Sequence, residues 1–447
     1  MSLFADRLAQ ARQGETALVA EMDRWKRRAN DDEKWHRHHS QLSRLSATVD
    51  GLLAAARMVL EDIKDDAAGW SALLRFERAL LAVNRIWDHF RAKYLIRLDD
   101  QLGLMLRLAD DFAWACYKPV QDALTPDWKR EPTLVYFSET WSPFALARDR
   151  SFANEMRIPE MATAEILLDD AFEEALAKLP VPLVSLPWFQ ASHTPSMLII
   201  AHEMGHIVSA DFGLGEKLRS AIDEAKWEAG ADCWQRWREE LFADLFGVLV
   251  GRDGFVGTLI VLLATDPKRV TTDHALAGIY PPRSLRMEIA LHALARLDGA
   301  DAAADLRKRW ETNYGDSTRF AEHLSDIPQL LDLIMGLPCG NHRLDALFKI
   351  DPQNVIDLSK SAVGNGQLGK SYFDVTAALV LAQRIDGGRR PDLTEEEKAN
   401  ALGRIPNFVD QRKTGYLSSS GDDKKPIAKI EDDTRRGAGL WKLLDKD

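Results

Sequence analysis

The stretch that decides the reading is Leu198-Ile199-Ile200-Ala201-His202-Glu203-Met204-Gly205-His206-Ile207-Val208-Ser209-Ala210-Asp211-Phe212-Gly213. Its apolar lead-in and helical spacing predict a helix from about Pro195 to Ala210. On that helix His202 and His206 lie one turn apart on a single face. Two neutral imidazoles so placed can approach one Zn²⁺ at about 2.0–2.1 Å. Glu203 follows the first histidine, where its carboxylate reaches a water at the metal without itself being a ligand. Gly205 points the same way: a glycine inside a helix costs about 1 kcal/mol against alanine, so it implies a packing reason.

A hydrolytic zinc site needs a third protein ligand and an open fourth position. Downstream, Arg238-Glu239-Glu240-Leu241-Phe242-Ala243-Asp244-Leu245-Phe246-Gly247 predicts a helix that offers Leu241, Phe242, Leu245 and Phe246 to a core. Glu240 and Asp244 share one face of it. Buried carboxylates are costly unless paired or coordinated. Metal ligation accounts for Glu240, and a hydrogen bond to a ligand histidine accounts for Asp244. Glu239 is the competing ligand, but it points about 100° away around the helix and is expected to face solvent.

His202-Glu203-Met204-Gly205-His206 followed by Glu240-Leu241-Phe242-Ala243-Asp244 resembles the gluzincin metallopeptidases, especially the HtpX-type and CAAX-prenyl peptidase branch. The resemblance implies Glu240 as third zinc ligand and Asp244 as the group that orients His202. That branch also carries a His-Pro-Pro-x-x-x-Arg element. Here Tyr280-Pro281-Pro282-Arg283-Ser284-Leu285-Arg286 keeps the prolines and Arg286 but has tyrosine for histidine. A tyrosine hydroxyl can donate to a developing oxyanion; Tyr280 can equally pack at a helix start. Arg286 is expected to pair with a carboxylate near the site. His274 is a second candidate oxyanion donor. The resemblance covers about Pro182 to Arg286. Those relatives are membrane-embedded and this chain has no expected span, so their lipidated substrates are not carried over.

Composition narrows the partners. The 447 residues carry a formal net charge of -11, against a nucleic-acid partner, which needs basic surface. The three cysteines, Cys116, Cys233 and Cys339, form no CxxC pair and suit a reducing compartment. No secretory signal is read at the N-terminus, and the most apolar run, Phe255 to Thr265, is too short to span a bilayer. A cytoplasmic protein without membrane insertion is expected, its oligomeric state open.

The fold expected is mainly α (α+β): a zincin-like domain with a small sheet over residues 131–310, flanked by helical regions at 1–130 and 311–410, with a flexible tail at 411–447. Strands are expected at Thr133–Glu139 and Pro182–Pro187, and helices near 163–179, 220–250, 284–309, 327–335, 354–362 and 373–384. Thr394 and Glu397 form a capping box. The strand at 133–139 is the expected edge for an extended peptide. The function expected is a zinc-dependent endopeptidase with Glu203 as general base and a protein or peptide substrate. The competing reading is a helical regulatory or scaffold protein with a structural or sensing zinc site.

Overall fold

The computed structural model describes residues 2–32, 34–125, 130–148, 179–272, 276–349, 372–409, 434–439 and 441. The fold is mainly helical with a small sheet. Four long helices come first: α1 (Leu3–Asp31), α2 (His39–Arg57), α3 (Ala67–Leu95) and α4 (Asp100–Leu124). Three strands follow, β1 (Leu134–Ser138), β2 (Phe144–Leu146) and β3 (Leu183–Pro187), in the order β1-β3-β2. β1 runs parallel to β3, pairing Leu134 with Leu183, and β2 runs antiparallel to it, pairing Phe144 with Ser185.

The sheet is a partition between two cores. Alternate residues of a strand face opposite ways. Leu134, Tyr136 and Leu183 therefore join the apolar cluster of α1–α3, while Val135, Phe137, Val184 and Leu186 join the larger cluster beyond. That second core is built by α4, α5 (Ile200–Asp211), α6 (Leu214–Glu224), α7 (Ala231–Leu263), α8 (Pro267–Thr271), α9 (Arg283–Asp298), α10 (Ala300–Tyr314) and α11 (Ala321–Met335). A two-residue hairpin, β4 (Pro338–Cys339) with β5 (His342–Arg343), precedes α12 (Tyr372–Asp386) and α13 (Glu395–Val409). The capping box is formed: Thr394 N donates to Glu397 Oε2 at 2.8 Å and Glu397 N donates to Thr394 Oγ1 at 3.2 Å.

Several expectations are corrected. The helix expected over 220–250 is broken at 225–230, because Asp326 accepts from the amides of Glu228 and Ala229 and from Trp234 Nε1. The helix expected over 284–309 is split at Gly299, whose φ of 92° no L-residue adopts easily. The apolar run at 255–265 is mostly the end of α7, which bends at Arg252 (φ 49°). α7 is long and apolar enough to cross a membrane, and 78% of its most apolar window is buried inside the protein. Within the stretch expected as a flexible tail, residues 434–439 are helical against α2, and Trp441 is buried among the α1–α3 cluster. The helices expected near 163–179 and 354–362 lie outside the described residues, apart from Leu179.

The edge assigned to an incoming peptide also changes. β1 is an edge strand, but on its outer rim the N–H and C=O of Val135 are taken: Asp110 Oδ1 accepts from Val135 N at 3.0 Å and Arg97 Nη2 donates to Val135 O at 2.6 Å. Asp110 and Arg97 are buried and pair with each other at 2.9 Å. β2 is the other edge. Among the described residues nothing bonds to its outer rim, and it lies against α5.

Candidate metal centre

α5 carries His202, Glu203 and His206, and α7 carries Glu240 and Asp244. The two helices meet backbone to backbone at Gly205. A Cβ there would fall 2.7 Å from the α-carbon of Ala243, well inside van der Waals distance. Ala243 lies between Glu240 and Asp244 in sequence, so this approach sets how closely both carboxylates reach the histidines.

His202 Nε2 and His206 Nε2 are 3.3 Å apart. Glu240 presents Oε2 to His202 Nε2 and Oε1 to His206 Nε2, each at 3.5 Å. A tetrahedral ion with bonds of about 2.0–2.1 Å holds its ligand atoms about 3.3–3.4 Å apart. The imidazole pair is thus spaced as two ligands of such an ion, and the Glu240 carboxylate, one oxygen toward each ring, stands beside them, with one donor atom from each of the three side chains within 4.8 Å of the others. The tautomer agrees: His202 Nδ1 donates to Asp244 Oδ1 at 2.9 Å, which leaves the lone pair on Nε2 facing its partners. The donor set of two imidazoles and one carboxylate fits a divalent cation of the zinc type.

Behind this face lies a buried support. Arg286, from the start of α9, grips Asp244 through both ends of its guanidinium, Nε to Oδ2 at 2.7 Å and Nη2 to Oδ1 at 2.9 Å. Arg286 Nη2 also stands 3.6 Å from Glu240 Oε2. Burial alone would raise the Asp244 carboxyl, but Arg286 and the His202 bond outweigh it and hold Asp244 well below the usual carboxylate range. Burial opposes a charged His202, yet the bond and charge of Asp244 outweigh burial and raise it above its ordinary value. A more basic imidazole is a stronger ligand. Glu203 differs from both. Burial pushes its carboxyl up to about 7, and the Glu240 charge adds to this against the pull of His202 and Arg286.

Glu239 turns elsewhere. Its Oε2 accepts from Ser209 Oγ at 3.3 Å, and Arg238 lies 3.6 Å from its Oε1. It lines the cleft without joining the histidine cluster. Tyr280 lines the same cleft and is 55% exposed, at its mouth and not in its floor. His274 lies outside the described residues. Two further histidines are held apart from the cluster: His193 pairs with Asp386 at 3.4 Å, and His292 bonds the Glu288 carbonyl at 2.8 Å.

The cleft has a volume of about 800 Å³. His202, Glu203, His206 and Glu240 make its floor, β2 and its flanks (Ser142 to Ala145, and Ala147) one wall, and Leu262, Leu263 and the loop before α9 the other. The His206 side chain is 26% exposed and that of Glu240 16%, against 1% for Asp244, so the cluster opens toward the cleft and closes behind. Sequence reasoning passed over β2, Leu262, Ile279 and Arg283. Leu262 and Ile279 read only as apolar residues near the motif segments, and Arg283 as an unassigned position of the Tyr280–Arg286 element.

No protein-family model, no curated protein and no solved structure matches the chain.

Proposed function

We propose that the chain is a zinc-dependent endopeptidase with a zincin-like catalytic domain, acting on protein or peptide substrates. The observation that carries this reading is the convergence of His202 Nε2, His206 Nε2 and the Glu240 carboxylate into one cluster able to hold a metal ion, with buried Glu203 beside them, at the floor of an open cleft. His202, His206 and Glu240 would hold the ion. When bound, zinc supplies Lewis acidity, which makes water more acidic and a carbonyl more electrophilic near neutral pH.

The protein's own groups do the rest. Glu203, whose carboxyl sits near 7, takes the proton of the attacking water and returns it to the leaving nitrogen. Asp244 keeps His202 in one tautomer and Arg286 keeps Asp244 ionised and fixed. Tyr280, at the mouth, is the candidate donor to the oxyanion. An extended peptide lying along the outer rim of β2 would add a strand to the sheet beside the cluster. The three described cysteines are all buried and free, which supports a cytoplasmic setting.

The test compares zinc-loaded wild type with Glu203→Gln on a peptide library. The variant is expected to retain zinc and lose cleavage by at least about a hundredfold. Equal cleavage by both proteins would refute the mechanism. Zinc binding with no cleavage by wild type would leave the structural or sensing reading.

A further inference from the structure

A second cavity, of about 510 Å³, adjoins the cleft. The two share Ser142, Pro143, Leu262 and Arg283 as a common neck. This chamber has three sides drawn from distant parts of the chain. Trp141 and Phe189 form one side, their rings 5.2 Å apart. Val261 and Leu262, at the end of α7, form another. The third is α12, which contributes Gln383 and Asp386. α12 reaches this position because α7 is stripped of side chains beneath it: a Cβ on Gly254 would fall 2.9 Å from Val380 Cγ2, and one on Gly257 would run into the Gln383 amide. The C-terminal helical region, which the family resemblance leaves without a role, therefore builds part of a cavity next to the metal cluster.

The apolar side chains here are exposed to an unusual degree: Trp141 by 86%, Phe189 by 57% and Val261 by 60%. Beyond residue 124, the end of the fourth helix, most exposed large apolar side chains among the described residues gather at this place or at the adjoining cleft. Ile279 and Tyr280 belong to the neighbouring cleft, Trp188 adjoins Phe189 in sequence, and Leu276 stands apart, two residues before the cleft-lining Gly278. Contiguous exposed apolar surface at the mouth of a cleft marks a binding site. Its occupant follows from what stands beside it. Pro143 and Ser142, at the neck, lead directly into β2, whose outer rim carries no bond among the described residues, so a chain paired to that rim would run beside the neck and present alternate side chains to each face of the sheet.

We infer that this chamber is a substrate subsite that selects peptides carrying a large apolar or aromatic side chain at one fixed position from the scissile bond. The inference rests on the peptidase reading for its substrate class. A random octapeptide library tests both parts, with new termini mapped after digestion by the zinc-loaded full chain and, in parallel, capture of uncleaved peptides on Glu203→Gln. Cleaved and captured peptides are expected to be enriched about tenfold or more in Trp, Phe, Tyr, Leu or Met at one position. Val261→Trp, which fills the chamber, and Trp141→Ala, which removes a wall, are both surface changes. Each is expected to reduce that enrichment about tenfold while zinc content stays as in wild type. Capture with this preference but no cleavage sinks the peptidase reading and supports the chamber. Cleavage or capture without the preference, a preference that both variants leave intact, or neither cleavage nor capture overturns the inference. So does binding to phosphatidylcholine–phosphatidylglycerol vesicles that Trp141→Ala abolishes, since the patch would then serve a lipid surface.

Discussion

Replacing Gly205 by alanine tests whether the α5–α7 approach sets the metal cluster. The new methyl would lie 2.7 Å from the α-carbon of Ala243 and 3.3 Å from its methyl, where carbon atoms normally stand about 3.5–4.0 Å apart. The obstacle is backbone, so no rotamer relieves it, and the helices must part by about 1 Å. Overpacking of this kind costs about 1–3 kcal/mol. Alanine's better helix propensity returns about 1 kcal/mol. The net loss of fold stability is therefore small, about 0–2 kcal/mol. The metal cluster is less forgiving. Glu240 rides on α7, and its 3.5 Å distances to the histidines would open past what a tetrahedral ion spans. Metal sites tolerate about 0.5 Å of such error. Gly205→Ala is expected to fold and to lose zinc affinity by about 10–100-fold. Competition against a chromophoric chelator measures the affinity, and calorimetry of metal-free protein measures the fold. Adding Ala243→Gly takes away the facing methyl but leaves the backbone carbon behind it, so it should rescue only part of the loss. If Gly205→Ala binds zinc as tightly as wild type, the helix separation does not set the metal cluster and the reasoning fails.

Other consequences are open to test. Arg286→Lys offers one nitrogen where the guanidinium places two on the Asp244 oxygens, and zinc affinity is expected to fall about tenfold or more by chelator competition; unchanged affinity would refute the positioning role. Trp441→Ala is expected to cost about 3 kcal/mol in urea unfolding without altering zinc affinity, since the ring is buried in the α1–α3 cluster; no loss of stability would show that the ring does not dock. Asp253 is buried, which opposes its ionisation, but Arg384 and Arg389 bond it and hold its carboxyl below the ordinary 3.8. Its folded value is thus depressed, so its contribution is complete above the ordinary carboxylate range and is lost as pH falls below it. Urea midpoints followed into acid should fall less steeply for Asp253→Asn than for wild type, and identical slopes would refute the assignment.

How much of this was legible beforehand depends on distance along the chain. His202 and His206 are one helical turn apart, so spacing alone puts them together. Glu240 comes from another helix, and only the apolar phase of Leu241, Phe242 and Leu245 separates it from Glu239. The structure adds the detail the pattern lacked: Glu239 is held by Ser209, a residue of α5 itself. β2 was not legible, because Phe144-Ala145-Leu146 is too short for a pattern and is a strand only through its pairing with β3. The break at 225–230 was hidden for a similar reason, since Asp326, which holds it, lies nearly a hundred residues on. Trp441 had an apolar signal but no local indication of where it would dock.

The salt-bridged pair on the β1 rim has a consequence for association. A sheet with two bare edges can grow in both directions by recruiting strands from other molecules, the route to aggregates. Here Arg97 and Asp110 bond the Val135 peptide group on its outer side, and their own charges satisfy each other. A neighbouring copy would have to break that pair to add a strand there. Of the two edges of this sheet, only β2, whose residues line the cleft, has no such bond on its outer rim among the described residues.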